Sequence, residues 1–216
     1  MNYLAHHWLA GESEDIQFGV WLGDFVKGIH LEQYSPDVQL GIRLHRATDT
    51  WIDKQKLLLQ MKASFPPDLR RFSGIVLDMM ADHYLALNWR AYDSRSLAVA
   101  EQEAYHMLFE RRAMLPEGLN MFMNYAFPRN LLQGYRKLDV IEQSLFGIGE
   151  RMNRANPFTH IRPLLNDHYD ELGTLFSYLL PGSQLYVRDW LFTARKETAK
   201  ELEDDISDHR IMVGGA

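Results

Sequence analysis

The chain has 216 residues, no cysteine, and a net charge of −6 from 29 acids against 23 bases. That length suits one domain with a full core, and the lack of thiols excludes disulfides, thiolate metal sites and cysteine redox chemistry. The acidic balance argues against broad nucleic-acid binding, which draws on a basic face, and no uncharged apolar run approaches the roughly 18–20 residues that span a bilayer.

The first stretch, MNYLAHHWLA, has no basic n-region and no small-residue cleavage site, so a secretory signal is not expected and the chain is read as cytoplasmic. It carries adjacent imidazoles, His6 and His7, in an apolar segment, and composition does not decide which points inward. From there apolar residues recur mostly every three or four positions, with little strict alternation. The spacing predicts helices near 13–29, 37–61, 67–92, 96–115, 130–137, 138–153, 161–179 and 183–208. Prolines 36, 66, 67, 116, 128, 157, 163 and 181 read as helix boundaries or first turns. The expected architecture is all-α, a compact helical bundle forming a single domain over 1–216, with a frayed tail over 209–216.

Within these elements, titratable residues fall where core belongs. In DIQFGVWLGDFVKG (15–28), Asp24 follows Ile16 and Val20 at helical spacing, and Gly19 and Gly23 permit close approach of another helix. In PDVQLGIRLHRATDTWID (36–53), Val38, Ile42, His45, Asp49 and Ile52 share one stripe. His45 and Asp49, one turn apart, can offer a nitrogen and an oxygen to one ion. Arg43 and Arg46 lie on a neighbouring, more polar side. In IVLDMMADHYLALNW (75–89), a helix apolar all round and hence central, Asp78 and Asp82 sit side by side with His83 at the edge of their face. An isolated buried carboxylate is protonated, paired or metal-bound, and two adjacent ones repel unless a cation lies between them.

Each group alone has a bland explanation: a buried His or Asp satisfied by neighbours, or His45–Asp49 as an ion pair. Their number argues for one shared site. A His/Asp cluster without Cys suits Mn²⁺, Fe²⁺, Mg²⁺ or Zn²⁺. Glu103-x-x-His106 copies half of a di-iron helix motif and reads as a solvated face. Phosphate-binding glycine loops, H-E-x-x-H and G-x-S-x-G are missing, which leaves metal-assisted hydrolysis. Arg43/Arg46, Arg70/Arg71, Arg111/Arg112 and Arg151/Arg154 are candidates for a local basic patch.

MNYLAHHWLA, GDFVKG, GIRLHRATD and LDMMADHYLALNW, followed by YRKLDVIEQSLFGIGERM and NDHYDELGTLF, together resemble the acyl carrier protein phosphodiesterases, over nearly the whole chain to about residue 190. The resemblance implies an all-α, HD-like phosphohydrolase, with Mn²⁺ favoured. Such an enzyme hydrolyses holo-acyl carrier protein to 4′-phosphopantetheine and apo-carrier, an acidic protein partner, with neither nucleic acid nor membrane involved. It implies Asp24, His45, Asp82 and His83 as metal ligands and His6 as ligand or proton carrier. Asp49 and Asp78 would be further ligands, a base, or residues orienting a His, and Arg43 and Arg46 would meet phosphate or carrier. The adjacent pair Asp82-His83 reverses the His-Asp doublet of ordinary HD enzymes. The alternatives are a phosphohydrolase of small phosphoesters or nucleotides, a prenyl-diphosphate enzyme, and a non-catalytic helical binding module.

Overall fold

A computed structural model describes the backbone of residues 1–213 and the side chains of residues 1–197. Twelve α-helices and no strand occur among the described residues: α1 Tyr3–Leu9, α2 Glu14–Leu22, α3 Pro36–Ile52, α4 Lys56–Ser64, α5 Pro67–Arg70, α6 Ser73–Leu87, α7 Leu97–Glu110, α8 Glu117–Ala126, α9 Leu131–Gly134, α10 Leu138–Glu150, α11 Arg162–Asp167 and α12 Tyr169–Val213. Local signals set several starts. Ser13 accepts from the Ile16 N–H ahead of α2, with Glu14 and Asp15 in its first turn, and Ser96 accepts from the Val99 N–H ahead of α7, as N-caps do. Pro36 opens α3.

Several boundaries differ from expectation: the helix expected over 13–29 ends at Leu22, and that over 161–179 divides into α11 and α12. The helix expected over 37–61 breaks between α3 and α4. Ile52 and Leu58 are both buried, but six residues place them about 120° apart on a wheel, so one straight helix could not turn both squarely to the core. The segment 67–92 breaks likewise into α5 and α6. An additional helix, α8, buries Leu119, Met123 and Ala126, a regular apolar stripe on a short segment between two prolines. Conversely, Pro181 bounds nothing: α12 runs through it. Pro181 and Ser177 are both exposed, so the Ser177 carbonyl that loses its N–H partner can be hydrated. Fraying was expected over 209–216; α12 extends to Val213, and residues 214–216 lie outside the described residues.

The core is one continuous apolar cluster. Its central member is α6, with eleven of its residues buried, packed against α1, α9, α10 and α12. The tightest pairing is α2 on α3. A Cβ on Gly19 would stand 2.2 Å from the Val38 carbonyl oxygen, and one on Gly41 2.3 Å from that of Ile16. Backbone meets backbone there, and that contact sets the spacing between Asp24, just past α2, and His45 on α3. Helix α12 closes the far side of α3 by stacking Tyr186 on Trp51, ring centroids 5.0 Å apart. No helix among the described residues is long and apolar enough to cross a membrane.

Candidate active site

Three segments converge on one pocket. Helix α3 supplies His45 and Asp49, one turn apart. The end of α2 supplies Asp24, and α1 supplies His6. Asp49 is the hub: His6 Nε2 lies 3.0 Å from its Oδ1 and His45 Nε2 lies 3.3 Å from its Oδ2. His45 Nε2 is also 3.3 Å from Asp24 Oδ1. The two imidazoles stack, centroids 3.7 Å apart. His45 reaches this position because residue 23 is glycine; a Cβ there would stand 2.2 Å from its ring. His45 Nδ1 lies 2.8 Å from the Val20 carbonyl. A carbonyl only accepts, so Nδ1 carries the hydrogen and Nε2 is the atom offered to the pocket.

The charges are tightly coupled. Desolvation pulls His45 down, but the hydrogen bonds and charges of Asp24 and Asp49 outweigh it and raise the imidazole to about 9. His6 goes the other way: burial, then the neighbouring His45 charge, lower it to about 4 against the pull of Asp49. Desolvation opposes ionisation of Asp49, yet the hydrogen bonds from His45 and His6 and the chain's terminal ammonium hold it far below the usual carboxylate range. The His45 hydrogen bond holds Asp24 low as well. The Met1 α-ammonium sits 3.1 Å from Asp49 Oδ1 and 3.0 Å from Asp78 Oδ1, and these carboxylates raise it to about 11 despite its burial.

His6, His45 and Asp49 present ligand atoms all within 4.8 Å of one another, with Asp24 on the same His45 nitrogen. Mixed nitrogen and oxygen donors of this kind fit a divalent first-row ion or Mg²⁺. The ammonium between Asp49 and Asp78 already marks a seat for positive charge.

Asp82 and His83, expected as ligands, stand outside this group. Asp82 is fully buried, and its two oxygens accept from the Leu4 and Ala5 N–H groups, each at 3.0 Å. It caps α1 from another helix; burial pushes it up to about 7 against those two bonds. His83 donates from Nδ1 to the Tyr135 carbonyl at 2.7 Å and accepts at Nε2 from the Tyr169 hydroxyl at 2.8 Å, and burial lowers its pKa. The wheel face shared by Asp78 and Asp82 therefore serves two ends of one segment: Asp78 holds the Met1 ammonium and Asp82 holds the helix that follows. Arg46 donates to the Val26 and Gly28 carbonyls at 2.6 and 2.7 Å, closing the loop after Asp24. Arg43 is exposed. His7 is as buried as His6 but accepts from Trp21 at 3.3 Å, so only His6 enters the pocket.

The family comparison bears on this pocket directly. A sequence model described as "Acyl carrier protein phosphodiesterase" matches residues 1–182. The chain belongs to the acyl carrier protein phosphodiesterase family. Relatives carrying that name include one from Enterobacter sp. (strain 638), 34% identical, the alignment covering 88% of this chain and 98% of the relative. Others come from Serratia proteamaculans, 30% identical with the same coverage, and Shigella boydii, 33% identical over 84% of this chain and 94% of the relative. No solved structure matches the chain. Every pocket residue named above lies in the part that the acyl carrier protein phosphodiesterase model matches, whereas the C-terminal half of α12 lies beyond it.

Sequence reasoning missed the aromatic wall beside the pocket. Tyr3 stacks on Trp21 with centroids 5.2 Å apart and tilts onto Phe122 at 4.2 Å; Phe25, next to Asp24, lies 6.5 Å from it. Tyr3 and His6 share one side of α1, being three residues apart, and that spacing was the available signal. The contribution of Phe122 had none, because it comes from the unexpected helix α8.

Proposed function

We propose that this chain is a metal-dependent phosphodiesterase that hydrolyses the bond between 4′-phosphopantetheine and the carrier serine of holo-acyl carrier protein, leaving the apo-carrier. The observation that carries the reading is the His6–His45–Asp49 group, flanked by Asp24 and Asp78, inside a region matched to a family of that name. Three carboxylates outnumber the Met1 ammonium and the His45 imidazole in a pocket whose substrate is itself anionic, so added positive charge favours entry of a phosphodiester. Asp24, His45, Asp49 and His6 would hold a divalent ion, with Mn²⁺ the first choice and Mg²⁺, Fe²⁺ and Zn²⁺ its competitors. Such an ion supplies charge to the phosphoryl oxygens and acidifies water.

The remaining work belongs to the chain. The Val20 carbonyl fixes the His45 ring so that Nε2 faces inward. His6, lowered to about 4 by burial, is neutral near pH 7, which leaves its imidazole open to the ion rather than to a proton. Asp78, raised by desolvation, faces the ammonium and suits holding or returning one. Hydrolysis places the water oxygen on phosphorus as the bond to the serine oxygen breaks, and that oxygen leaves with a proton.

The test is a mass measurement. Holo-carrier incubated with the enzyme and Mn²⁺ should lose the phosphopantetheine mass, and chelator should stop the loss. An unchanged holo mass with all four ions, alongside turnover of a nucleotide or a small phosphoester, would overturn the substrate assignment. Full activity in chelator would overturn the metal.

A further inference from the structure

Beyond the pocket, another face of α8 borders a cavity of about 500 Å³, shared with α7. Tyr105 and Met123, both buried, form its floor. Phe109 and Phe127 stand at its rim, 58% and 57% exposed, with the Phe127 ring edge-on to Tyr105 at 5.2 Å. His106 and Arg112 form a polar end, and no acidic side chain lines it.

Two polar groups here are not satisfied by the protein as their neighbours are. The Tyr105 hydroxyl is buried outside good hydrogen-bond geometry to any partner, with Glu101, its polar neighbour, already accepting from the Leu132 and Gln133 N–H groups. Arg112 donates only to the Asn124 side-chain oxygen at 3.2 Å and meets no carboxylate. Its neighbour Arg111, by contrast, pairs with both Glu14 and Asp15. An exposed aromatic rim around an apolar pocket, beside an unpaired guanidinium, is the chemistry of a binding hot spot. The chain's net charge of −6 repels acidic partners at long range, so a local unpaired cation influences where one lands.

We propose that this cavity is where the protein substrate docks, taking one bulky apolar side chain of a surface whose carboxylates face Arg112. This rests on the reading that the substrate is a protein. The connection to the pocket is α8 itself. Its Phe122 packs on Tyr3, and Gly118 makes room for Phe25, whose ring a Cβ there would meet at 2.9 Å. Helix α8 thus touches the aromatic wall beside the catalytic pocket on one face and borders the cavity on another.

The experiment pairs binding with turnover. Holo-carrier is titrated calorimetrically into the full chain in chelator, and steady-state release of phosphopantetheine is measured with Mn²⁺. Both are done for the wild type, Phe109→Glu, Arg112→Glu and Arg112→Lys. The first two variants should weaken binding and raise KM by about tenfold or more, with kcat kept within about twofold; Arg112→Lys should keep most of the binding. Both side chains are exposed, so the fold should survive these changes. Unchanged Kd and KM in both glutamate variants, or a fall in kcat alone, overturns the docking site while leaving the reaction intact. Binding that the variants abolish, with no release by wild type, overturns the reaction and supports the docking site. Neither binding nor release by wild type overturns both.

Discussion

Asp82→Ala separates two roles that look identical in sequence. The substitution removes two hydrogen bonds of 3.0 Å, from the N–H groups of Leu4 and Ala5, at a position with no solvent exposure. Water cannot readily replace the lost acceptor. A lost N-cap costs about 0.5–2 kcal/mol, and a buried donor left unpaired costs about 1–3 kcal/mol. With two donors released and partial relaxation of a short helix, the expected loss is about 3 kcal/mol, or roughly 6–12 °C in Tm for a chain of this size. The assay is thermal and urea unfolding of metal-free protein, wild type against Asp82→Ala and Asp82→Asn. The asparagine keeps one acceptor oxygen and should lose about half as much. Were Asp82 instead a ligand, metal-free alanine protein would lack only a desolvated, repelled charge and would be at least as stable as wild type. A metal-free Tm within about 2 °C of wild type would therefore refute the cap.

Other substitutions and conditions probe the pocket itself. Gly23→Ala drives a Cβ into the His45 ring, 2.2 Å away, and should lower both metal affinity and kcat/KM by about a hundredfold, read by metal titration and turnover. His45, raised to about 9, must lose its Nε2 proton to bind a cation. Metal Kd should therefore fall about tenfold per pH unit between pH 7 and 9 and level off above, and calorimetry in buffers of different ionisation enthalpy should detect the released proton. In metal-free protein the same shift works on stability. The folded value exceeds the ordinary 6.5, so the contribution of His45 is complete below about pH 6.5 and lost as pH rises through 9, visible as a falling urea midpoint. His83→Ala, which breaks the bridge between Tyr135 and Tyr169, should destabilise by about 1–3 kcal/mol yet leave metal stoichiometry unchanged in equilibrium dialysis.

The helical fold was legible because the apolar spacing is regular almost throughout; the misplaced boundaries arose where burial, not propensity, decides. The stripe through His45 and Asp49 was readable because both residues sit on one continuous helix. The place of Asp82 at the start of α1 has a specific cause. A buried carboxylate in an apolar helix suggests a proton, an ion partner or a metal, but a helix N-terminus elsewhere in the chain supplies N–H groups equally well. Glu101 does the same, accepting from the Leu132 and Gln133 N–H groups at 2.7 and 3.3 Å at the start of α9. Long-range caps join residues about 30 to 80 positions apart, and no local pattern marks them. The terminal ammonium at Asp49 and Asp78 was likewise invisible, since it is not a side chain.

Gly19 and Gly41 have a bearing on how the sequence can vary. Each blocks any larger residue at its own position through the backbone of the opposite helix, not through a side chain that another change could trim. No compensating substitution exists, singly or paired, short of moving α2 away from α3, and that would pull Asp24 off His45. In a saturation screen scored by activity, both positions should accept almost nothing, as strictly as His45 itself. Two residues without a functional group would then rank among the catalytic ones, and intolerance would trace the distance between two helices as faithfully as the chemistry they hold.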